Sequence, residues 1–295
     1  MMYFYIIHYL FILFTNGLAE EIDEAAIEDL IKRDISFAYP HNESTRFGIF
    51  KSEKVIWDVM EQQRLTQSVQ VGQLMAAYQS CVYRAEVPYP AGKRKPFIVV
   101  EGNVRKYRRL VAIYLARIYG VLFTSIPPKC LTHLRYLFPP NTKARNAFYA
   151  LALYAAAHKA KETIARGLPV IMNGYYTEQA SFIITRLFPG ENLPPKGAKV
   201  YEWPLDLLKP DVVVYLNYPF VPNNHLSERP ELWRLTKKIR IYKNFDIEPV
   251  LVINVTRGVY DTVKQVQDEI IKAVGDKLDL NPLPREEINE DQMYQ

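Results

Sequence analysis

From residue 97 onward, short apolar runs alternate with longer stretches in which apolar and polar residues follow a helical spacing. The apolar runs cover residues 97–100, 121–124, 169–172, 212–216 and 250–255. Continuous apolar runs of strand length, joined by helical connections, are typical of a parallel sheet buried on both faces. The pattern therefore predicts an α/β fold with its ligand site at the carboxyl ends of the strands, in the loops after Val100, Thr124 and Met172.

The region before residue 97 has a helical pattern. Its apolar residues recur at one-face spacings of two helices, at Val55, Ile56, Val59 and Met60, and then at Val71, Leu74, Met75, Tyr78 and Val82. A polar, proline-containing stretch over 88–96 marks the best boundary in the chain. We divide the chain into an apolar leader (1–19), a helical N-terminal extension (20–95), an α/β domain (96–278) and an acidic tail (279–295). The helices of the extension need an apolar surface, which favours packing on the α/β domain.

The leader is an apolar run over 3–14 that is too short to span a bilayer. Small residues at Gly17 and Ala19 fit a signal-peptidase site, but no Lys or Arg precedes the apolar run. A secretory signal, an unremoved apolar segment and a mispredicted start codon all stay open. We expect no transmembrane span beyond this short segment.

Composition narrows the chemistry only a little. The 295 residues carry 37 Lys and Arg against 32 Asp and Glu, a net charge of +5 that suits an anionic ligand but does not imply nucleic acid binding. Cys81 and Cys130 lack the spacing of a metal site, and a disulfide between them cannot be read from the sequence. We therefore expect two buried thiols. The five histidines show no metal spacing either, so no metal site is predicted.

The loop after the first apolar run has the setting of a phosphate-binding loop. A strand enters Glu101 and Gly102, and a cationic amphipathic helix follows, with Arg105, Lys106, Arg108 and Arg109 near its start. Cations are disfavoured at a helix N-terminus, so an anion held there and a simple exposed basic helix start are both open interpretations.

Four ordered blocks, over 127–138, 144–157, 169–176 and 201–216, resemble the thymidylate kinase superfamily, most closely its mitochondrial UMP-CMP kinase branch. The resemblance covers about residues 96–275. It implies a P-loop nucleoside monophosphate kinase-like parallel sheet flanked by helices, here with a helical N-terminal extension. The activity implied is phosphoryl transfer from ATP to a nucleoside monophosphate.

The chain departs from the family at the phosphate loop, which reads E-G-L-D-x-x-G-K-[ST] in the family. Tyr107 replaces a glycine, Arg108 the lysine and Arg109 the hydroxyl that binds magnesium, while Val104 removes the loop carboxylate. The degenerate loop comprises Gly102, Asn103, Val104, Arg105, Lys106 and Tyr107. Such a change removes the backbone cradle, the compact ammonium and the metal ligand together.

A second departure follows the run over 169–172. The family has D-R-Y or D-R-Y-like residues there, and this chain has Asn173 and Gly174 before Tyr175. An amide is a poor substitute for a carboxylate near magnesium, and glycine supplies no charge.

Parts of an acceptor pocket match the family. By resemblance, Arg135 and Arg145 face the nucleoside monophosphate, and Tyr175 lines the same pocket. For both arginines, ligand contact and ordinary solvation or pairing stay open.

These observations predict a catalytically inactive pseudokinase that acts by binding, with a pyrimidine nucleoside monophosphate or a protein as partner, and with no cofactor. The alternative is a weak or atypical kinase for dTMP, UMP or CMP that uses magnesium and ATP, with Arg108 in place of lysine and a carboxylate from Glu101 or Asp206. A third interpretation, a secreted or lumenal interaction protein, requires the leader to be a signal peptide. Without a signal peptide, the resemblance indicates a mitochondrial or cytoplasmic location.

Overall fold

The computed structural model describes residues 48–82, 92–121, 123–140, 142–188, 192–218, 229–256 and 258–283. The predicted leader, the part of the extension before residue 48 and the tail beyond residue 283 lie outside these residues.

Five parallel strands form one sheet with the order β2-β3-β1-β4-β5. The strands are β1 (Phe97–Gly102), β2 (Phe123–Ser125), β3 (Val170–Asn173), β4 (Val212–Asn217) and β5 (Val250–Asn254). All four neighbouring pairs run parallel. The prediction of an α/β fold with a parallel sheet from the five apolar runs is confirmed.

Helices cover both faces of the sheet. In chain order they are α1 (Glu53–Arg64), α2 (Ser68–Cys81), α3 (Arg105–Tyr119), α4 (Lys129–Thr132), α5 (Lys143–Ala165), α6 (Tyr176–Leu187), α7 (Arg229–Asn244) and α8 (Val259–Val274). Two short 3-10 helices, His133–Tyr136 and Lys199–Tyr201, complete the regular structure.

Strand β1 lies at the centre of the sheet and divides the core. Successive side chains of a strand point to opposite faces. Phe97 and Val99 accordingly join the cluster under α5 and α6, whereas Ile98 and Val100 join the cluster under α3 and α8. Because both faces are buried, the strand is apolar throughout, which is why its sequence shows no alternation.

The described part of the extension packs on the α/β domain. The side chains of Ile56, Met60 and Leu74 are buried in the same core as Phe148 and Leu151 of α5. Helix α1 begins at a Ser52 cap, whose hydroxyl accepts a hydrogen bond from the Val55 amide at 3.2 Å. The two predicted helices are confirmed.

A disulfide joins the extension to the domain. Cys81, the last residue of α2, is bonded to Cys130 in α4, with the Cα atoms 5.8 Å apart. The expectation of two buried thiols is therefore wrong. The two cysteines are 49 residues apart in sequence, and only the packing of α2 against α4 brings them together.

After α8 the chain runs back to the residues just before β1 and to the end of α3. Asp279 forms an ion pair with Lys95 at 2.8 Å, and the Leu283 amide donates to the Tyr119 carbonyl at 3.2 Å. The first residues of the predicted acidic tail thus contact the domain. Within the described ranges, no helix is both long enough and apolar enough to span a bilayer.

Candidate functional site

The carboxyl ends of β1, β3 and β4 meet at one edge of the sheet, where ligands of open α/β folds bind. The pairing of Val100 with Asn173 and of Gly102 with Leu216 fixes which residues face one another there. Gly174 is held against the same edge, because its amide donates to the Val100 carbonyl at 3.0 Å. Gly102, at the end of β1, and Asn173 and Gly174, at the end of β3, therefore lie at the same edge of the sheet.

A turn of two residues, Asn103 and Val104, connects β1 to α3. The Asn103 side chain donates to the Tyr218 carbonyl at 2.7 Å and accepts from the Tyr218 amide at 2.9 Å. The Asn103 amide donates to the Leu216 carbonyl at 3.3 Å. These three bonds fasten the turn to the end of β4.

Gly102 allows this close approach. A Cβ on residue 102 would lie 2.5 Å from the Leu216 carbonyl oxygen, so a larger residue would push the two strands apart.

Helix α3 begins at Arg105, only three residues after the end of β1 at Gly102. Arg105, Lys106 and Tyr107 already belong to its first turn, whereas in a phosphate loop the corresponding backbone wraps around the phosphates before the helix starts. Val104 occupies the cap position and its side chain makes no capping bond. The connection between β1 and α3 is therefore a short turn rather than an extended loop.

Arg108 is directed inward. Its side chain is only 5% exposed, and its guanidinium donates a hydrogen bond to the Glu178 carboxylate in α6. The Arg108 cation is therefore paired with a partly exposed carboxylate of the protein itself.

Gly174 makes room for that anion. Its φ angle is +78°, and a Cβ on residue 174 would lie 2.3 Å from Glu178 Oε2. The space beside Gly174 is occupied by the carboxylate that binds Arg108.

Glu101 is completely buried and caps helix α6 from β1. Its carboxylate accepts hydrogen bonds from the Tyr175 amide at 2.6 Å, the Thr177 hydroxyl at 2.7 Å and the Glu178 amide at 3.2 Å. Burial and the neighbouring Glu178 charge raise the pKa of Glu101. These contacts give Glu101 a structural task at the start of α6.

Glu101, Arg108 and Glu178 form a partly buried cluster, which three residues of β4 and α7 complete. Burial, together with the nearby Arg108 charge, lowers the pKa of Lys238, against the attraction of Glu178 and Glu101. The rings of Tyr215 and Tyr242 lie 4.5 Å apart beside these groups, and both are fully buried. The cluster holds two acidic and two basic side chains, of which Arg108 and Glu178 form an ion pair.

The other charged and aromatic side chains at the start of α3 are exposed. The Tyr107 ring stacks on Tyr218 at 4.5 Å between centroids, and the Arg109 guanidinium lies 6.0 Å from the centroid of Phe123. Arg105 and Lys106 are exposed. Asn173 is buried at the end of β3.

The two predicted acceptor arginines have different surroundings. Arg145 donates to the carbonyls of Arg135 and Phe138 at 2.6 and 2.8 Å, which fastens the 3-10 helix to α5. Arg135 is exposed, with its guanidinium 4.5 Å from the centroid of the Tyr136 ring. A ligand would reach Arg135 directly, whereas it would compete with two carbonyls for Arg145.

Tyr175 lies in the core. Its side chain is 1% exposed, its hydroxyl donates to the Leu208 carbonyl at 3.0 Å, and its ring packs edge-on against Phe97. A nucleotide contact by this side chain would require the core to open.

The sequence analysis missed Glu178 and Lys238. An acid in the first turn of a helix is common because it faces the positive end of the helix dipole, so Glu178 carries no distinctive signal. By resemblance an arginine is expected where Gly174 stands, and the space left by that missing side chain was the available hint that another residue lies there.

Comparison with known proteins gives one partial match of interest. No family model matches the chain. Human UMP-CMP kinase 2, mitochondrial, is 32% identical over 122 residues, which is 40% of this chain and 27% of the human protein. The chain thus spans little more than a quarter of that relative. This match and the five-stranded parallel sheet fit a nucleoside monophosphate kinase-like fold.

Proposed function

We propose that this chain is a catalytically inactive protein of nucleoside monophosphate kinase-like fold that acts by binding. The observation that carries the proposal is the ion pair between the buried Arg108 and the partly exposed Glu178, at the place where, by resemblance, a kinase directs its cation to a phosphate. A cation that is already paired with a carboxylate does little to neutralise the negative charge of a bound triphosphate.

The backbone supports the same conclusion. Phosphoryl transfer depends on positioning, on loop amides around the phosphates and on neutralisation of the developing charge. Here Asn103 fastens a short turn to β4, and Arg105 already starts the helix. A triphosphate would have to unwind the first turn of α3 to obtain the amide cradle.

The residues present do not fit a magnesium ion, which the kinase family employs. Magnesium prefers carboxylate and water oxygens in octahedral geometry. Glu101 accepts three hydrogen bonds, Glu178 is paired with Arg108, and Arg109 stands where the family has a metal-binding hydroxyl. Phosphoryl transfer assisted by magnesium is therefore not part of the proposed function.

The binding partner is proposed from chemistry and similarity. The name of the human relative specifies UMP and CMP, so pyrimidine nucleoside monophosphates are the first small-molecule candidates. Arg135 is the exposed cation of the predicted acceptor side. A protein partner is the other candidate, as expected for a fold that has lost its catalytic groups.

An activity assay tests this proposal. The purified chain is incubated with ATP, magnesium and, in turn, UMP, CMP, dUMP, dCMP and dTMP, with an active UMP-CMP kinase as positive control. We expect diphosphate formation equal to the reaction without protein. Turnover that is lost in an Arg135→Ala variant purified in the same way would contradict the proposal and establish the alternative of a weak kinase.

We further infer that the chain folds in an oxidising compartment. The disulfide between Cys81 and Cys130 supports this, because disulfides persist mainly outside the reducing cytosol. It agrees with the signal-peptide interpretation of the leader, whereas the similarity to a human mitochondrial protein favours a mitochondrial location instead. Cell fractionation of the tagged full chain, with mass analysis of its N-terminus, distinguishes the two.

A further inference from the structure

The segment over 48–51 lies in a cleft between α5 and α6. Ile49 and Phe50 are 2% and 3% exposed, although both precede the first helix of the extension. The space left beside them is a cavity of about 10 Å³, lined by residues that include Leu153 of α5 and Tyr176 of α6. Such a cavity holds about one water molecule, whereas small-molecule pockets measure about 300–1,000 Å³. The segment therefore fills the cleft.

Polar contacts hold both ends of this segment. Lys51 Nζ donates to the Glu202 carbonyl at 2.6 Å and to the Tyr176 hydroxyl at 3.2 Å. At the other end, Gly48 has φ +89° and lies so close to Asn146 that a Cβ on residue 48 would be 2.8 Å from the Asn146 Cβ. The fit is specific in backbone conformation as well as in apolar contact.

The cleft lies where ligands of this fold class bind. Tyr176 begins α6 just beyond the carboxyl end of β3, and ligands of open α/β sheets bind outside such ends. Arg145, a predicted acceptor residue, is the neighbour of Asn146 on α5. The segment thus occupies a position next to the predicted acceptor side.

We propose that residues 48–51 are a displaceable plug in a ligand cleft, and that a flat heteroaromatic ligand competes with Ile49 and Phe50 for it. The cleft walls suit such a ring, because Leu153, Ala150 and Ala180 are apolar. The Gln179 amide also lines the cleft, and its nitrogen donates to the Asn146 carbonyl at 3.3 Å, a bond for which a ligand would compete. The choice of a pyrimidine nucleotide as probe rests on the proposed function. The observation that Ile49 and Phe50 fill the cleft is independent of that function.

Equilibrium binding tests the plug. UMP and uridine are titrated by calorimetry, in EDTA and without ATP, into the natural chain, an Ile49→Ala/Phe50→Ala variant and an Ile56→Ala control. Truncation of Ile49 and Phe50 weakens the plug and leaves α5 and α6 unchanged, whereas Ile56 is an equally buried residue of α1 that does not line the cavity. We expect the double variant to bind UMP about tenfold or more tightly than the natural chain and the control do.

A folded double variant with the affinity of the natural chain for both probes would overturn the proposal. Uridine binding as tight as UMP binding supports the cleft and assigns the affinity to the ring rather than the phosphate. An equal increase in UMP affinity in the double variant and in the Ile56→Ala control would also overturn the proposal, because the increase would then reflect loosening of the whole fold.

Proteolysis of the natural chain gives a second test that needs no variant. Trypsin cleaves after lysine, and Lys51 is held within the plug by its contacts to Glu202 and Tyr176. We expect saturating UMP to accelerate cleavage after Lys51 relative to cleavage after the exposed Lys54. Protection of Lys51 by UMP would contradict displacement. Diphosphate formation by the double variant would refute the proposed inactivity and leave the plug standing, so the two proposals fail separately.

Discussion

The carboxylate of Glu178 lies in the space that a side chain on Gly174 would need. A Cβ at residue 174 would stand 2.3 Å from Glu178 Oε2 and 3.6 Å from Arg108 Nη2. The absence of a side chain at 174 and the ion pair between Arg108 and Glu178 therefore depend on each other. A family-like arginine at 174 cannot coexist with this arrangement.

Gly174→Ala is expected to destabilise the fold more than Gly167→Ala. Both glycines have φ +78°, so each substitution incurs a backbone strain of about 1–2 kcal/mol. A Cβ at 167 meets nothing within 4 Å, whereas one at 174 must displace Glu178 from Arg108. We expect an additional loss of about 1–3 kcal/mol for Gly174→Ala, measured as the free energy of unfolding in urea. Equal losses for the two variants would contradict the proposed packing of Glu178.

Arg108 and Glu178 are expected to be coupled energetically. In a double-mutant cycle with Arg108→Met and Glu178→Gln, we expect a coupling free energy of about 0.5–3 kcal/mol, toward the lower end because the Glu178 side chain is 35% exposed. Arg109→Met, an exposed arginine of the same helix turn, is the control and should change stability by about 0.5 kcal/mol or less. Additive effects of the two substitutions would mean that the pair contributes nothing.

Much of the architecture could be predicted from the sequence, because a strand buried on both faces is apolar throughout. The runs that begin near Phe97, Val170 and Val212 became the three central strands. The order of strands depends on tertiary packing, so hydrophobicity did not indicate it independently of the family resemblance.

Less of the candidate site could be predicted from the sequence. By resemblance, Tyr107 and Gly174 indicated which of the family's groups this chain lacks, but not that Glu178 lies in the space beside Gly174. Ile49 and Phe50 belong to no periodic pattern, since they lie in a loop, so their burial gave no signal. Cys81 and Cys130 were misjudged because their proximity arises only when α2 packs on the domain.

Glu53 is expected to make stability depend on pH. Burial raises the pKa of Glu53, but hydrogen bonds from His158, Tyr78 and Trp57 outweigh it, and the pKa lies below its ordinary value of 4.5. A carboxylate with a lowered pKa in the folded state stabilises the protein above its unfolded pKa, and this contribution disappears as the pH falls through the folded value.

Glu53→Gln should therefore reduce the free energy of unfolding at neutral pH, and the difference from the natural chain should shrink below a pH of about 4.5. Urea titrations at several pH values measure this difference. Glu61→Gln on the exposed side of the same helix is the control and should show a small difference at neutral pH. If the loss in free energy of unfolding caused by Glu53→Gln stays constant into the acid range, the charge of the Glu53 carboxylate is not what stabilises the fold.

Removal of the disulfide is expected to weaken the attachment of the extension. Cys81 and Cys130 close a loop of 49 residues in sequence, for which chain entropy alone predicts a loss of about 4 kcal/mol on opening. The paired variant Cys81→Ser/Cys130→Ser should unfold at correspondingly lower urea, and the natural chain in excess reductant should match it. Because α1 and α2 also bury Ile56 and Leu74 in the shared core, we expect the reduced protein to remain folded in the absence of denaturant. If reductant leaves the urea midpoint of the natural chain unchanged while mass analysis confirms two free thiols, the disulfide contributes nothing, and the extension is held by its apolar contacts alone.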